Sequence, residues 1–178
     1  MTGTELGILD LIQKIRTPFG DKLMCAVTWL GNAGAVWIFL AIMLVILPKK
    51  RRSGIILITA LVIDVILCNG ILKNVFQRIR PCEINPDIQL LVTRPTDFSF
   101  PSGHTAASFA AVMSLYLAGE KKMWRPALAL AILIAFSRMY LYVHYLTDII
   151  GGILTGIFAG YVGYWIYKQK FRWIVREQ

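Results

Sequence analysis

The apolar residues of this chain are gathered in long blocks rather than in alternation, at about residues 33–47, 54–72, 105–118, 127–143 and 149–167. A strand or a helix of a soluble domain alternates between an apolar face and a wet one, and these blocks leave no wet face. Lipid offers the backbone no hydrogen-bond partner, so only helices and closed barrels cross a bilayer. A crossing helix needs roughly 20 apolar residues, about 17–25. Long blocks rather than alternation select helices. Composition agrees: 57% of the 178 residues are hydrophobic and 16% charged, against about 25% charged in a soluble domain, and the mean hydropathy is +0.61. The expectation is an all-α integral membrane helical bundle of about five transmembrane helices. The first and third blocks are short and must borrow flanking residues or sit in a thinner stretch of bilayer.

The stretch before the first block is different. Residues 6–30 hold Asp10, Lys14, Arg16, Pro18, Asp21 and Lys22, while Leu6, Leu9, Ile12 and Ile15 recur close to one helical face. This pattern predicts an interfacial amphipathic helix; a sixth span there is the competing reading. The length suits one domain over residues 1–178, divided into an interfacial segment (1–32), a transmembrane core (33–167) and a basic cytoplasmic tail (168–178). Glu5 and Asp10 interrupt the N-terminus, and no small-residue cleavage site follows an apolar core, so no signal peptide is expected. Cys25, Cys68 and Cys82 have no metal-ligand spacing and suggest neither a disulfide framework nor a zinc site.

The formal net charge is +9. In a soluble protein that balance would suggest nucleic acid. Here Lys and Arg sit mostly between apolar blocks, so topology and anionic lipid account for them and no nucleic-acid partner is expected. Lys49, Lys50, Arg51 and Arg52 follow the first block, Lys121, Lys122 and Arg125 the third, and Lys168, Lys170, Arg172 and Arg176 the fifth. If all five blocks cross, these clusters share one side, which the positive-inside rule makes cytoplasmic. The loop 73–101 and the segment around His144 then face outward together, in a multi-pass protein of the cell membrane.

That outward loop keeps Lys73, Arg78, Arg80 and Arg94, although translocated loops disfavour such charge. Lipid headgroups or a bound anion would both explain it. Phe100-Pro101-Ser102-Gly103-His104 stands directly before an apolar block, with Ser102 placed as an N-cap. Backbone N–H groups at a helix start form an anion site; a plain turn carrying an interfacial histidine is the simpler alternative. Further on come Ser137-Arg138, His144 and Asp148. The last two are four apart and share a helical face. A carboxylate bonded to Nδ1–H fixes the tautomer and frees Nε2 to attack or to accept a proton; a structural His–Asp pair would look the same. Together they narrow the choice, because ionisable groups at membrane depth are costly and usually functional. Cations, two histidines and a carboxylate converging on one side suit a phosphoryl group: cations neutralise its oxygens, one histidine attacks phosphorus and the other protonates the leaving oxygen.

The run from Lys73 to Arg80-Pro81, the Pro101-Ser102-Gly103-His104 turn, and Ser137-Arg138 with His144 and Asp148 resemble the three-part signature of the type-2 phosphatidic acid phosphatase superfamily, with every signature position filled. The resemblance implies an enzyme, a lipid phosphatase. It implies that Lys73, Arg80 and Arg138 hold phosphate oxygens, with Ser102 and the backbone of Gly103 completing the cradle. His144 would be the nucleophile, passing through a phosphohistidine, Asp148 would orient it, and His104 would be the general acid. No metal or other cofactor is implied. Many bacterial members have six spans, and here the first is missing. Substrates in reach are undecaprenyl diphosphate, which a compact chain with an outward, cation-rich site favours, and phosphatidylglycerophosphate or phosphatidic acid. A vanadate-dependent haloperoxidase shares the anion cradle but is soluble. A non-catalytic lipid-binding protein would not need His104, His144 and Asp148 intact. Membrane lipids are the expected surroundings, and the oligomeric state is left open. Gly152, Gly156 and Gly160, four apart, predict close helix packing. Asp64, inside an apolar block, is expected to serve structure. Arg78, Glu83 and Arg94 either tune specificity or are solvated loop charges.

Overall fold

The computed structural model describes the backbone of residues 2–176 and the side chains of residues 3–170. The described residues are helical, with no strand. The N-terminal stretch, expected as one helix, is two: α1 (Thr2–Lys14) and α2 (Pro18–Leu30). Pro18 causes the break. It sits at the first turn of α2, where its missing N–H is not needed, and Thr17 before it is extended, its hydroxyl accepting from the Gly20 N–H at 3.1 Å. After Gly31, a single 3₁₀ turn (Asn32–Gly34) with Ala33 at φ 50° and Gly34 at φ 68° bends the chain by 45° into α3 (Ala35–Ile46).

A second 3₁₀ turn (Pro48–Lys50) leads into α4 (Arg51–Asp64), which continues through a π-helical stretch (Val65–Leu72) into the short α5 (Lys73–Phe76). Gln77, at φ 44°, ends that run. The one-turn α6 (Pro81–Ile84) and a long loop lead to α7 (Gly103–Leu117), α8 (Lys121–Tyr140) and α9 (Leu146–Arg176). Each of the five apolar blocks lies largely within a helix.

Two helical stretches are long and apolar enough to cross a bilayer: Pro48–Ile84, with mean hydropathy 2.6, and Leu146–Lys170, with 1.6. The bent pair α2–α3 is a third candidate if it counts as one span. Apolar side chains point outward as well as inward. Phe39, Ile46, Leu154, Phe158 and Trp165 are each more than half exposed, an arrangement suited to lipid and unlike a soluble surface. Inside, Trp37, Leu44, Leu57, Leu115 and Ile134 join α3, α4, α7 and α8 in one core, and the Trp37 indole donates to Ser108 Oγ at 3.0 Å.

The basic clusters gather at one end. Lys50 pairs with Glu120, and Ser53 donates to the same carboxylate at 2.7 Å, tying the α3–α4 turn to the α7–α8 turn. Burial would raise the Glu120 carboxyl, but these bonds outweigh it and hold it below its usual range. Arg52 lies over the Tyr167 ring, 5.7 Å from its centroid, bringing the far part of α9 to the same end. Of the expected basic tail, Lys168 and Lys170 lie on α9, while the side chains of Arg172 and Arg176 lie outside the described residues.

α7 is flanked by α4, α8 and α9, and its contact with α9 sets the geometry of the opposite end. Gly152, Gly156 and Gly160 form the α9 side of that contact. A Cβ at Gly156 would stand 2.2 Å from the Ala106 carbonyl and 2.8 Å from the Ala110 nitrogen; at Gly152 it would meet the Ser102 carbonyl at 2.7 Å. The two backbones therefore pack directly, as the four-residue glycine spacing predicts. Gly156→Val should destabilise the protein by at least about 1–3 kcal/mol, the usual cost of overpacking. Melting of the purified protein in detergent checks this against Gly7→Ala, whose added methyl meets nothing within 4 Å. Equal melting temperatures for the two variants would contradict the packing argument.

Candidate active site

At the end away from the basic turns, a cavity of about 960 Å³ opens among the start of α7, the end of α8, the α4–α5 run and the loop before α7. Lys73, Arg80, Gly103, His104, Arg138 and His144 all line it. Residues from three separated parts of the chain thus meet as their pattern suggested. Ser102 and Asp148 are fully buried behind the lining. Ser102 occupies the N-cap position of α7, but its side chain makes no capping bond; Thr105 Oγ1 donates to it at 3.0 Å. Its contribution runs through the backbone: the Ser102 N–H donates to the Asp148 carbonyl at 3.1 Å and ties the start of α7 to α9.

Arg80 is the most heavily bonded cation. Its Nε donates to the Asp97 carbonyl (2.8 Å), Nη2 to Asp97 Oδ1 (2.7 Å), and Nη1 to the Val143 carbonyl (2.8 Å). Nη1 also lies 3.1 Å from His144 Nε2. Arginine has only donors, so Nε2 of His144 is the acceptor and its ring proton sits on Nδ1, facing Asp148. Nδ1 is 3.5 Å from Asp148 Oδ2, beyond hydrogen-bond reach, and makes no other bond. Asp148 accepts instead from Arg78 Nη1 (2.6 Å), Ser99 Oγ (2.5 Å) and the Tyr145 N–H (2.9 Å). On the opposite wall, His104 stands in the first turn of α7 with Nε2 3.0 Å from Asn32 Oδ1. Gly31 makes room for that ring, since a Cβ there would come within 2.9 Å of His104 Cδ2.

Charge in the cavity does not balance. Lys73 and Arg80 both pair with Asp97. Arg138, 5% exposed, donates to Thr28 Oγ1 at 2.5 Å, and its Nε–H has no partner. Among the described residues no carboxylate pairs with Arg138. A buried guanidinium with an unused donor, beside two further cations, is an anion site by its own chemistry. Asp64 lines the same cavity, nearly fully buried, and its Oδ1 makes no bond.

Several of these residues were not singled out by the sequence pattern. Asn32 and Gly31 lie in a turn the periodicity read as the end of an amphipathic segment. Asp97 and Ser99 lie in a loop whose only flagged charge was Arg94. Arg78 is not a solvated loop charge; it reaches Asp148. Glu83 and Arg94 do pair with each other, at 3.0 Å and about half exposed.

The comparisons with known proteins agree with this geometry. The family model described as the PAP2 superfamily matches residues 53–172. The undecaprenyl-diphosphatase of Sulfolobus acidocaldarius is 34% identical over 127 residues, 71% of this chain and 61% of that protein. Phosphatidylglycerophosphatase B of Bacillus subtilis is 31% identical over 159 residues, 80% of this chain and 73% of that protein. Lipid A 4'-phosphatase of Bacteroides thetaiotaomicron is 30% identical over 177 residues, 93% of this chain and 78% of that protein. The crystal structure of Aquifex aeolicus LpxE superposes with a TM-score of 0.77 at 31% identity, covering 90% of this chain and 94% of that one.

Asp97 generates a test of the anion site. Burial works to raise its carboxyl, but the bond from Lys73 and the charge of Arg80 outweigh it and hold it down to about 2. Its folded value lies below the ordinary one, so its pairs stabilise the protein above about pH 4 and are lost as pH falls toward 2. At any ordinary assay pH it is charged and competes with an incoming anion for Lys73 and Arg80. Asp97→Asn should therefore tighten orthovanadate binding on the order of fivefold, since one negative charge leaves the cavity. The measurement is the displacement of vanadate by isothermal titration, and weaker binding in the variant would count against an anion site at these cations.

Proposed function

The chain belongs to the PAP2 superfamily, and from that membership we propose that it is a membrane phosphatase that removes a terminal phosphate from a lipid phosphate or diphosphate. The observation that carries the reading is the buried Arg138, which has an unused Nε–H and no carboxylate partner among the described residues and shares one cavity with Lys73, Arg80 and both histidines. Undecaprenyl diphosphate is the substrate we put first, and phosphatidylglycerophosphate and lipid A phosphate stand beside it by the names of the relatives.

In this reading Lys73, Arg80, Arg138 and the Gly103 N–H hold the phosphate oxygens, and Ser102 serves by anchoring the start of α7. His144 Nε2 attacks phosphorus. The N–P bond forms as the bond to the leaving oxygen breaks, and that oxygen takes a proton from His104. Water then attacks phosphorus, the N–P bond breaks, the water proton passes to His104, and inorganic phosphate leaves. Protein cations supply the charge stabilisation. Asp148 keeps the His144 proton on Nδ1, so that Nε2 remains the nucleophile.

For topology we propose five crossings: α3 with support from α2, the α4–α5 run, α7, α8 and α9, with α1 at the interface. α3, at 12 residues, is only about 18 Å long, short of the roughly 30 Å hydrocarbon core. The apolar end of α2 extends it across the 45° bend. With the basic turns at the cytoplasmic end, the cavity faces outward. A cysteine engineered beside Lys121 should react only with membrane-permeant reagent in intact cells; labelling by an impermeant maleimide would reverse the orientation.

The activity is tested by phosphate release from a panel of undecaprenyl diphosphate, phosphatidylglycerophosphate, phosphatidic acid and lipid A. His144→Ala should abolish turnover on all of them. His104→Ala should lose about 10²–10⁴-fold with an alkoxide leaving group, the usual worth of general acid catalysis, and much less with nitrophenolate. A His144→Ala protein that still releases phosphate would end this reading.

A further inference from the structure

We propose that Glu5 and Arg78 are positioning residues for His144: through Arg78, the N-terminal helix α1 fixes the Asp148 carboxylate that faces the His144 ring. This rests on the reading of His144 as the nucleophile and deepens it.

The chain of contacts is continuous and largely buried. Asp148 is fully buried in the first turn of α9. Its Oδ2 takes the Ser99 hydroxyl and the Tyr145 N–H, and it is this oxygen that faces His144 Nδ1. Its Oδ1 takes Arg78 Nη1 at 2.6 Å. Arg78 is itself immobilised on three sides. Nη2 donates to Glu5 Oε2 at 2.5 Å, Nη1 donates to Thr147 Oγ1 at 2.6 Å, and the guanidinium lies 4.0 Å from the centroid of the Tyr145 ring. The other Glu5 oxygen accepts from the Thr147 N–H (3.1 Å) and hydroxyl (2.6 Å).

Glu5 therefore has two actions. It satisfies an N–H in the first turn of α9, which a helix start otherwise leaves without a partner, and its charge suits the positive dipole end. It also sets the place and charge of Arg78. Burial would raise the Glu5 carboxyl, but the Thr147 and Arg78 bonds outweigh it and keep it ionised. α1 is held on this spot by Leu9, fully buried among Tyr140, Leu141, Tyr142, Val143 and Tyr145 of the α8–α9 turn. The Tyr142 hydroxyl donates to Asp10 at 2.8 Å, and the Gln13 amide donates to the Tyr140 carbonyl at 2.9 Å. The loop that carries His144 is thus clamped by α1.

Electrostatics separates positioning from mere support. The charged and titratable groups facing His144 are Asp148 on α9, Arg80 from the turn before α6, Arg138 on α8 and His104 on α7. Arg78 draws on the Asp148 charge from the far oxygen. Without Arg78 the carboxylate acts in full on the His144 ring, which then holds a proton more tightly. Without the Glu5 charge, Arg78 draws on Asp148 more strongly and the ring holds its proton less tightly. The two losses push His144 in opposite directions.

The experiment compares kcat, KM and the pH dependence of kcat/KM for Glu5→Gln, Arg78→Met and Arg78→Lys in the full-length protein in detergent. The probe is a short-chain phosphatidic acid, with His144→Ala as reference and melting temperatures as a check on folding. Arg78→Met should lower kcat by about 10- to 100-fold, the scale seen when outer-shell partners of functional histidines are lost, with KM changed less than about threefold. Arg78→Lys should recover part of it. The acid limb of the profile should move to higher pH in Arg78→Met and to lower pH in Glu5→Gln. If His144→Ala is inactive while both variants keep the parent kcat and acid limb, the positioning role is wrong and the phosphatase reading stands. If they lose activity only in step with melting temperature, with no opposed shift of the acid limb, the contacts are scaffolding and the inference falls. An active His144→Ala protein overturns both.

Discussion

Three cations stand at the head of an apolar bundle with one carboxylate between two of them. Charge withdrawn from water is costly unless it is paired, and each of the three cations has polar partners: Asp97 for Lys73 and Arg80, and Thr28 for Arg138. Besides Asp97, Arg80 takes the carbonyls of Val143 and Phe98. The unused capacity lies at Arg138 Nε. The rest of the site depends on this imbalance: the cavity lies where the donors converge, and its chemistry suits an anion.

Holding those donors in place is the work of backbone contact rather than of side-chain packing. Glycines on α9 let its backbone touch that of α7, and the Ser102 N–H to Asp148 carbonyl bond closes the junction at the site end. The start of α7, with Gly103 and His104, is therefore fixed relative to Asp148, while the turn before α9 carries His144. At the far end the Lys50–Glu120 pair and the Arg52–Tyr167 contact close the bundle. The two ends use cations differently: at the far end Lys50 and Arg52 tie helices and turns together, and at the site Arg138 keeps an unused donor.

Much of this was legible in the sequence because it is carried by short-range pattern. Apolar blocks mark helices, the four-residue spacing of Gly152, Gly156 and Gly160 marks a close contact, and the residues later found around the cavity stand in three compact motifs. What escaped was either a local break or a long-range partner. Pro18 divides the N-terminal segment, and its capping partner Thr17 was not weighed against the apolar periodicity. Asn32 reaches His104 across 72 residues, and Glu5 reaches Arg78 across 73. No period links such positions, and a lone acid near the N-terminus or a lone arginine in a loop carries no local mark of its partner. Asp97 and Ser99 did lie beside the second motif, four and two residues before Pro101.

In the proposed mechanism, the groups that would serve the substrate are engaged with one another. Asp97 occupies Lys73 and Arg80, and Arg80 also donates to the Nε2 lone pair of His144, the proposed nucleophile. A phosphate dianion carries more charge and more acceptor oxygens than Asp97 and a ring nitrogen do, so in the proposed mechanism Arg80 would turn from His144 to phosphate and free the Nε2 lone pair for attack. Asp97, half exposed at the cavity mouth, can move toward water without a buried charge being left alone. Asp148 has no such freedom, being fully buried with donors on both oxygens. Its fixed place keeps a negative charge 3.5 Å from His144 Nδ1. The half-exposed carboxylate sits with the cations and the buried one beside His144, the division of labour that a nucleophile gated by its substrate would use.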